Sequence, residues 1–229
     1  MTAAWTLDRV PRRSDPPGPF VYNAVVPVSL LPYSLVIFDL DGVLVDSFQC
    51  WWRLLNGTLE AHGKHPLTQE EFSACWGQDV EADRRRFFPD WSVERLIGHY
   101  TREFPRYAEW IQPMEGAQET LAGLERAGKR IAVASNSPMA MVERLLELAS
   151  LRAHVSWAAG VDLVAKGKPE PDLIEHVLRE AGVAREEACY VGDSEFDARA
   201  ARAARVHFIG YRREGDVRIE SLRELVGGA

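Results

Sequence analysis

The run Leu35-Val-Ile-Phe-Asp-Leu-Asp-Gly-Val-Leu-Val-Asp-Ser47 opens with four apolar, β-prone residues and ends in a turn rich in carboxylates. Side chains at i and i+2 of a strand point to the same side. Asp39 and Asp41 can therefore face one centre where the strand ends, and Gly42 lets the chain turn away. Two nearby carboxylates suit divided labour, one as nucleophile and metal ligand, the other as acid/base. An acidic D-x-D-G turn also begins many ordinary loops and some calcium sites, so its meaning depends on the rest of the chain.

Downstream, short apolar runs alternate with helical stretches. Ile131 to Ala134, Cys189 to Val191 and Val206 to Ile209 read as strands. The spacing predicts helices over 117–127, 139–149, 172–181 and 198–204, with Gly128 and Gly182 as stops. Strands alternating with helices of about ten residues indicate βαβ units and a parallel sheet covered on both faces. Ligands of such sheets bind outside the carboxyl ends of the strands. Between Ser47 and about Gln112 this rhythm stops. Five tryptophans and helix-like periodicity at Trp51–Leu59 and Val93–Ile97, with no convincing strand, suggest a helical insertion. Rooted beside the first strand's end, it would cover the site as a lid. The expected division is an N-terminal extension (1–34), a core (35–46 and 113–229) and a helical cap (47–112).

Composition narrows the classes. Hydrophobic residues at 46% and charged residues at 27% are ordinary for a soluble globular chain. A net charge of −7 provides no sequence-wide basic field for nucleic acid or an anionic membrane. Cys50, Cys75 and Cys189 are odd in number and widely spaced, which argues against a disulfide framework or zinc site and fits a reducing, cytoplasmic location. Pro16 to Phe38 carries no charge and follows Arg9, Arg12 and Arg13, as in a leader or membrane span. Its prolines at 16, 17, 19, 27 and 32 oppose a continuous helix, so an extended surface arm is expected instead.

Three further motifs sit at strand ends. The Ser135 hydroxyl and neighbouring backbone N–H groups, with Asn136, could grip a phosphoryl oxygen, or could simply cap a helix before Pro138. Lys168, in Lys166-Gly-Lys-Pro-Glu-Pro-Asp172, could neutralise charge on the nucleophile and phosphoryl group; Lys166 competes for that role. Gly192-Asp-Ser-Glu-Phe-Asp197 adds carboxylates. Magnesium takes oxygen ligands and keeps several waters. Asp39, the backbone carbonyl of Asp41 and Asp193 would be a sufficient protein share, with Asp197 supporting that shell or capping a helix.

In this order the motifs resemble the haloacid dehalogenase-like hydrolase superfamily, over about Leu35 to Gly210. Phe38-Asp-Leu-Asp-Gly-Val-Leu-Val-Asp46 resembles its first motif, Ala134-Ser-Asn136 its second, Lys168-Pro169 its third and Val191-Gly-Asp-Ser-x-x-Asp197 its fourth. The resemblance implies an α/β fold, a Rossmann-like core with an inserted α-helical cap, as in phosphoglycolate phosphatases and β-phosphoglucomutases. It implies Mg2+, attack by Asp39 on phosphorus, acid/base work by Asp41, and a phosphoryl grip by Ser135 and Lys168. Asp41 speaks against dehalogenase and phosphonatase chemistry, in which that position differs. Gly192-Asp193 with Asp197 is closer to the phosphatase pattern than to the Glu-Asp of β-phosphoglucomutases. Arg205 departs from the glycine usual before the last strand.

The expected function is therefore hydrolysis of a small phosphorylated metabolite, such as a sugar phosphate or phosphoglycolate, with no nucleic-acid or membrane partner. A sugar phosphomutase and an inactive phosphate-binding regulatory protein are the alternatives, and monomer and homodimer stay open. In the cap, Arg84 and Arg85, with Arg86 and Arg53, are candidates to meet the leaving group. The competing reading makes them a solvated helix face balanced by Glu81 and Asp83. Trp51, Trp52 and Trp76 read as cap packing rather than a substrate platform.

Overall fold

Leu35–Phe38 form β1, and all four side chains are fully buried. The reason is that both faces of the strand are covered. Val36 and Phe38 join one hydrophobic cluster, Leu35 and Ile37 the other, as the two-residue period of a strand requires. Burying a side chain such as Phe38 contributes about 1.5–3 kcal/mol. This is seen in a computed structural model of the chain, which describes residues 32–227. The expectations for the N-terminal arm fall on residues outside this range.

After β1 come β2 (Val45–Asp46), β3 (Gln112–Pro113), β4 (Arg130–Ala134), β5 (Trp157–Ala159), β6 (Ala188–Gly192), β7 (His207–Tyr211) and β8 (Val217–Ile219). The six-stranded sheet runs β5-β4-β1-β6-β7-β8, and every pairing in it is parallel. The chain builds outward on one side of β1 and then crosses to the other. That reversal puts β1 and β6, with their carboxyl ends, at the topological switch point where such sheets bind ligands. The expected α/β Rossmann-like architecture is borne out. Strands β5 and β8, three residues each, lack the length that would mark them in the sequence.

Helices α1 (Phe48–Ala61), α2 (Gln69–Ser73), α3 (Val80–Phe87) and α4 (Val93–Glu103) lie between β2 and β3. They are followed in the core by α5 (Ala117–Arg126), α6 (Met139–Leu148), α7 (Asp172–Ala181) and α8 (Glu195–Ala204). The short strands β2 and β3 pair antiparallel, Val45 opposite Pro113, so the helical segment leaves and returns at one place. Its apolar faces, including Leu54, Phe72, Val80 and Phe87, belong to the same cluster as Val36 and Phe38. The α8 helix begins three residues before the predicted start because Ser194 and Asp197 form a reciprocal capping box. Arg205 closes α8 in the left-handed conformation, φ 57°, where glycine is the usual residue. The local turn therefore persists with an arginine in it.

Candidate active site

Asp39 follows β1, and its backbone N–H donates to the Val191 carbonyl at 2.8 Å, extending the β1–β6 ladder past the strand end. Its carboxylate is 5% exposed and accepts from Lys168 Nζ at 2.6 Å. The same ammonium donates to Asp197 Oδ1 at 2.7 Å and to the Tyr190 hydroxyl at 3.0 Å. Three donors on three partners use the full capacity of a lysine. Burial alone would depress the Lys168 pKa, but Asp197 and Asp39 more than offset it and hold the ammonium above its ordinary range. Burial pushes Asp39 up well above the usual carboxylate range against the pull of Lys168, and Asp197, Asp193 and Asp41 add to the rise.

Asp41 has a different environment. Its Oδ1 accepts from the Ser47 hydroxyl and from Trp51 Nε1 at 2.8 Å, while Oδ2 accepts from Ser135 Oγ at 3.2 Å and Ser137 Oγ at 2.8 Å. All four donors are neutral. Gly42 then turns the chain at φ 85°, and a Cβ there would stand 2.4 Å from Asp193 Oδ2. Only glycine permits both that conformation and that approach.

Asp193 follows β6. Its Oδ1 is buried without a hydrogen-bond partner, and burial, reinforced by the Asp197 charge, pushes its carboxyl up to about 7. Carboxylate oxygens of Asp39, Asp193 and Asp197 lie within 4.8 Å of one another. Two buried acids and a half-buried one around a single lysine leave an excess of negative charge, and an orphaned buried oxygen costs free energy. A hard divalent cation with oxygen ligands relieves both, so this donor set fits magnesium. Asp197 is the least available of the three. Its Oδ1 also takes the Tyr190 hydroxyl at 2.8 Å, and its Oδ2 takes the Ser194 backbone N–H at 3.0 Å and the Ser194 hydroxyl. Although burial works the other way, Lys168 and these donors hold Asp197 below its ordinary pKa. It caps α8, so any share it has in a metal site is a supporting one. The Asp41 side chain is turned to its four donors, so any share it has in a metal site falls to its backbone carbonyl.

The two residues of the serine–asparagine pair also differ. Ser135 reaches the site, but the Asn136 amide is occupied. Its Nδ2 donates to the Gly77 and Lys168 carbonyls, each at 2.9 Å, and its Oδ1 accepts from the Lys168 N–H at 2.7 Å. Asn136 thus fixes the lysine loop and ties it to the helical segment, rather than offering its amide to a phosphoryl group.

Between the strand ends and the helical segment lies a solvent-open cleft, lined by Asp39, Asp41, Ser135 and Lys168 on one side. Trp51, Phe72, Trp76, Gln78 and Asp83 line the other. Arg84 and Arg85 do not reach it. Glu81 holds Arg84 through bonds of 2.7 and 3.0 Å and Arg85 at 3.4 Å, because i,i+3 and i,i+4 partners meet on one helix face. Arg53 stacks over Trp110 at 4.1 Å. Trp52 packs as expected, its indole N–H bound to the Leu67 carbonyl at 2.8 Å. Trp51 and Trp76 do not serve packing alone: one binds Asp41 and both line the cleft. Ser47, Ser137 and Tyr190 also belong to the site. Ser47 and Trp51 sit four residues apart just past the acidic turn, and Ser137 is two residues past Ser135; those spacings were the available signals.

The family model described as haloacid dehalogenase-like hydrolase matches residues 36–211. The chain belongs to that family. It is 34% identical over 187 residues to a phosphoglycolate phosphatase of Agrobacterium fabrum, covering 77% of this chain and 79% of that protein. It is 32% identical over 181 residues to phosphoglycolate phosphatase 1 of Pseudomonas aeruginosa, covering 75% of this chain but 66% of that protein's length. Among solved structures, CbbY from Rhodobacter sphaeroides in complex with phosphate superposes with a TM-score of 0.76 at 27% identity, over 86% of this chain and 97% of that one. These relatives share the haloacid dehalogenase-like fold described above. Among the described residues no helix is long and apolar enough to cross a membrane.

Proposed function

We propose that the protein is a magnesium-dependent phosphatase that hydrolyses a small phosphomonoester through an aspartyl-phosphate intermediate. The observation that carries this reading is the split environment of the two strand-end carboxylates. Asp39 lies against an ammonium and an acid cluster, whereas Asp41 lies against four neutral donors. The phosphatase relatives point the same way.

Asp39 attacks phosphorus, and the bond to the leaving oxygen breaks as the Asp39–phosphorus bond forms. Lys168 fixes the Asp39 rotamer and opposes the charge of the incoming phosphoryl group. Magnesium, held by Asp39, Asp193 and the Asp41 carbonyl with Asp197 in support, would neutralise charge on the phosphoryl oxygens. Asp41 gives a proton to the leaving oxygen and then takes one from the water that hydrolyses the aspartyl phosphate. Ser47, Trp51, Ser135 and Ser137 orient its carboxylate for both transfers. Ser135 is also placed to meet a phosphoryl oxygen. Gly192 stands where such mutases carry glutamate, and a Cβ there would stand 2.4 Å from Asp197 Cβ, which favours the phosphatase pattern.

The test is turnover of p-nitrophenyl phosphate with magnesium, which EDTA and Asp39→Asn should each reduce by about 10³-fold or more. Metal also has a readout apart from activity. Magnesium at about 100 times its Kd should stabilise the folded chain by roughly 2.7 kcal/mol, and Asp193→Asn should abolish that gain. Turnover that ignores both EDTA and Asp39→Asn would refute the reading.

A further inference from the structure

Among the described residues, the leaving-group side of the cleft carries a carboxylate and no cation. Among the residues that line the cleft, Lys168 is the one cation. Its ammonium is committed to Asp39, Asp197 and Tyr190. The arginines that could have met an acidic leaving group are engaged elsewhere. Arg84 and Arg85 are held by Glu81, Arg86 lies over Phe87 at 4.9 Å, and Arg53 lies over Trp110.

Asp83 occupies that wall instead. One of its oxygens accepts from Gln78 Nε2 and the other from the Tyr100 hydroxyl at 3.1 Å. Tyr100 is buried behind it, so the carboxylate is fixed from the rear. An ionised carboxylate offers about four lone-pair sites, so two bonds leave this cleft-lining side chain with further accepting capacity. Its two protein partners are both donors, an arrangement that favours the ionised form. Burial pushes its carboxyl up only to about 6, partly checked by the bonds from Gln78 and Tyr100, so it is largely ionised at neutral pH. Trp51, Phe72 and Trp76 supply the apolar remainder of this side, a surface suited to carbon-bound hydrogens rather than to a second anion.

We propose that Asp83, set in the cleft wall by Gln78 and Tyr100, selects phosphomonoesters whose leaving group carries hydroxyl or ammonium donors and disfavours those that carry a carboxylate. The inference rests on the phosphatase reading above. A carboxylate placed there would meet a like charge, whereas a hydroxyl or ammonium finds an acceptor already oriented.

Three two-carbon esters that differ in one terminal group isolate the effect: 2-phosphoglycolate, 2-hydroxyethyl phosphate and O-phosphoethanolamine, with p-nitrophenyl phosphate as a generic reference. With magnesium at neutral pH, kcat/KM for the hydroxyl or ammonium ester should exceed that for 2-phosphoglycolate by about tenfold or more. Asp83→Asn should shrink that ratio by about threefold or more, by raising 2-phosphoglycolate turnover relative to the other two. Equal or preferred turnover of 2-phosphoglycolate by the wild-type protein would overturn the inference while leaving the phosphatase reading intact. A ratio unmoved in folded Asp83→Asn protein would overturn it too. The wild-type series decides the question even where the variant fails to fold. No turnover of any of the four esters would sink the phosphatase reading and this inference together.

Discussion

Two carboxylates, one buried and one half-buried, face the same cleft from opposite walls, and the protein treats them differently. Asp39, on the strand side, is paired through Oδ1 with a lysine that also binds Asp197, which in turn takes the Tyr190 hydroxyl. Asp83, on the helical side, has only an amide and a phenol. The first arrangement holds Asp39 by an ammonium and concentrates negative charge, as the proposed nucleophile and cation require. The second leaves an acceptor with spare capacity directed at the space a leaving group would fill. Under the two proposals, chemistry thus falls to the wall built from strand ends, and selection to the wall built from helices.

The largest effect on this contrast should come from removing the shared lysine. Lys168→Met leaves Asp39 and Asp197 buried without their ammonium, and breaking a buried pair typically costs about 3–5 kcal/mol. Denaturant unfolding should show that loss together with loss of turnover. Undiminished stability would mean that the network is not what holds this wall.

Asp83→Asn should act in the opposite direction. The folded-state pKa of Asp83, about 6, lies above the ordinary value of 3.8. Between those values the folded protein binds the additional proton, so stability falls as pH rises from about 4 to about 6 and stays lower above that. Asparagine carries no such penalty. The variant should therefore be more stable than wild type at pH 7, by about 1–3 kcal/mol, and the gap should close by pH 4. A variant less stable at pH 7 would show that the Asp83 charge is stabilised in the fold.

These contrasts also explain what the sequence could and could not convey. Asp39 and Asp193 were legible because a parallel sheet with both faces buried writes its strands as continuous apolar runs, and these residues lie just past a run's end; Lys168 was legible from its Lys-Gly-Lys-Pro loop. Trp51 and Asp83 were not. Their roles depend on how helices of the inserted segment rotate against the core, and neither apolar periodicity nor net charge fixes that rotation. Asp83 looked like a counter-ion for Arg84 and Arg85, yet Glu81, on the outer face, holds both. Asn136 was legible as a site residue, but its amide is used to join the Lys168 loop to Gly77.

Trp51→Phe sharpens the contrast from the side of Asp41, removing one of its four donors while keeping the ring. A hydrogen bond to a charged acceptor contributes about 1.5–3 kcal/mol, so kcat on alkyl phosphates should fall roughly tenfold or somewhat more. The smallest effect belongs to a position remote from both walls. Arg205→Gly relieves the left-handed backbone at the end of α8 and should stabilise the protein by up to about 1 kcal/mol, with turnover unchanged.

The central claim is that Asp39 carries the phosphoryl group. p-Nitrophenolate leaves without needing a proton, so Asp41→Asn protein should still be phosphorylated by p-nitrophenyl phosphate but should hydrolyse the intermediate slowly. Acid quenching followed by peptide mass spectrometry should then find one phosphoryl adduct on the peptide containing residues 35–47, localised to Asp39 and absent when Asp39→Asn is added. Turnover by wild-type protein, with no adduct in the Asp41→Asn protein or with one on another residue, would contradict the account.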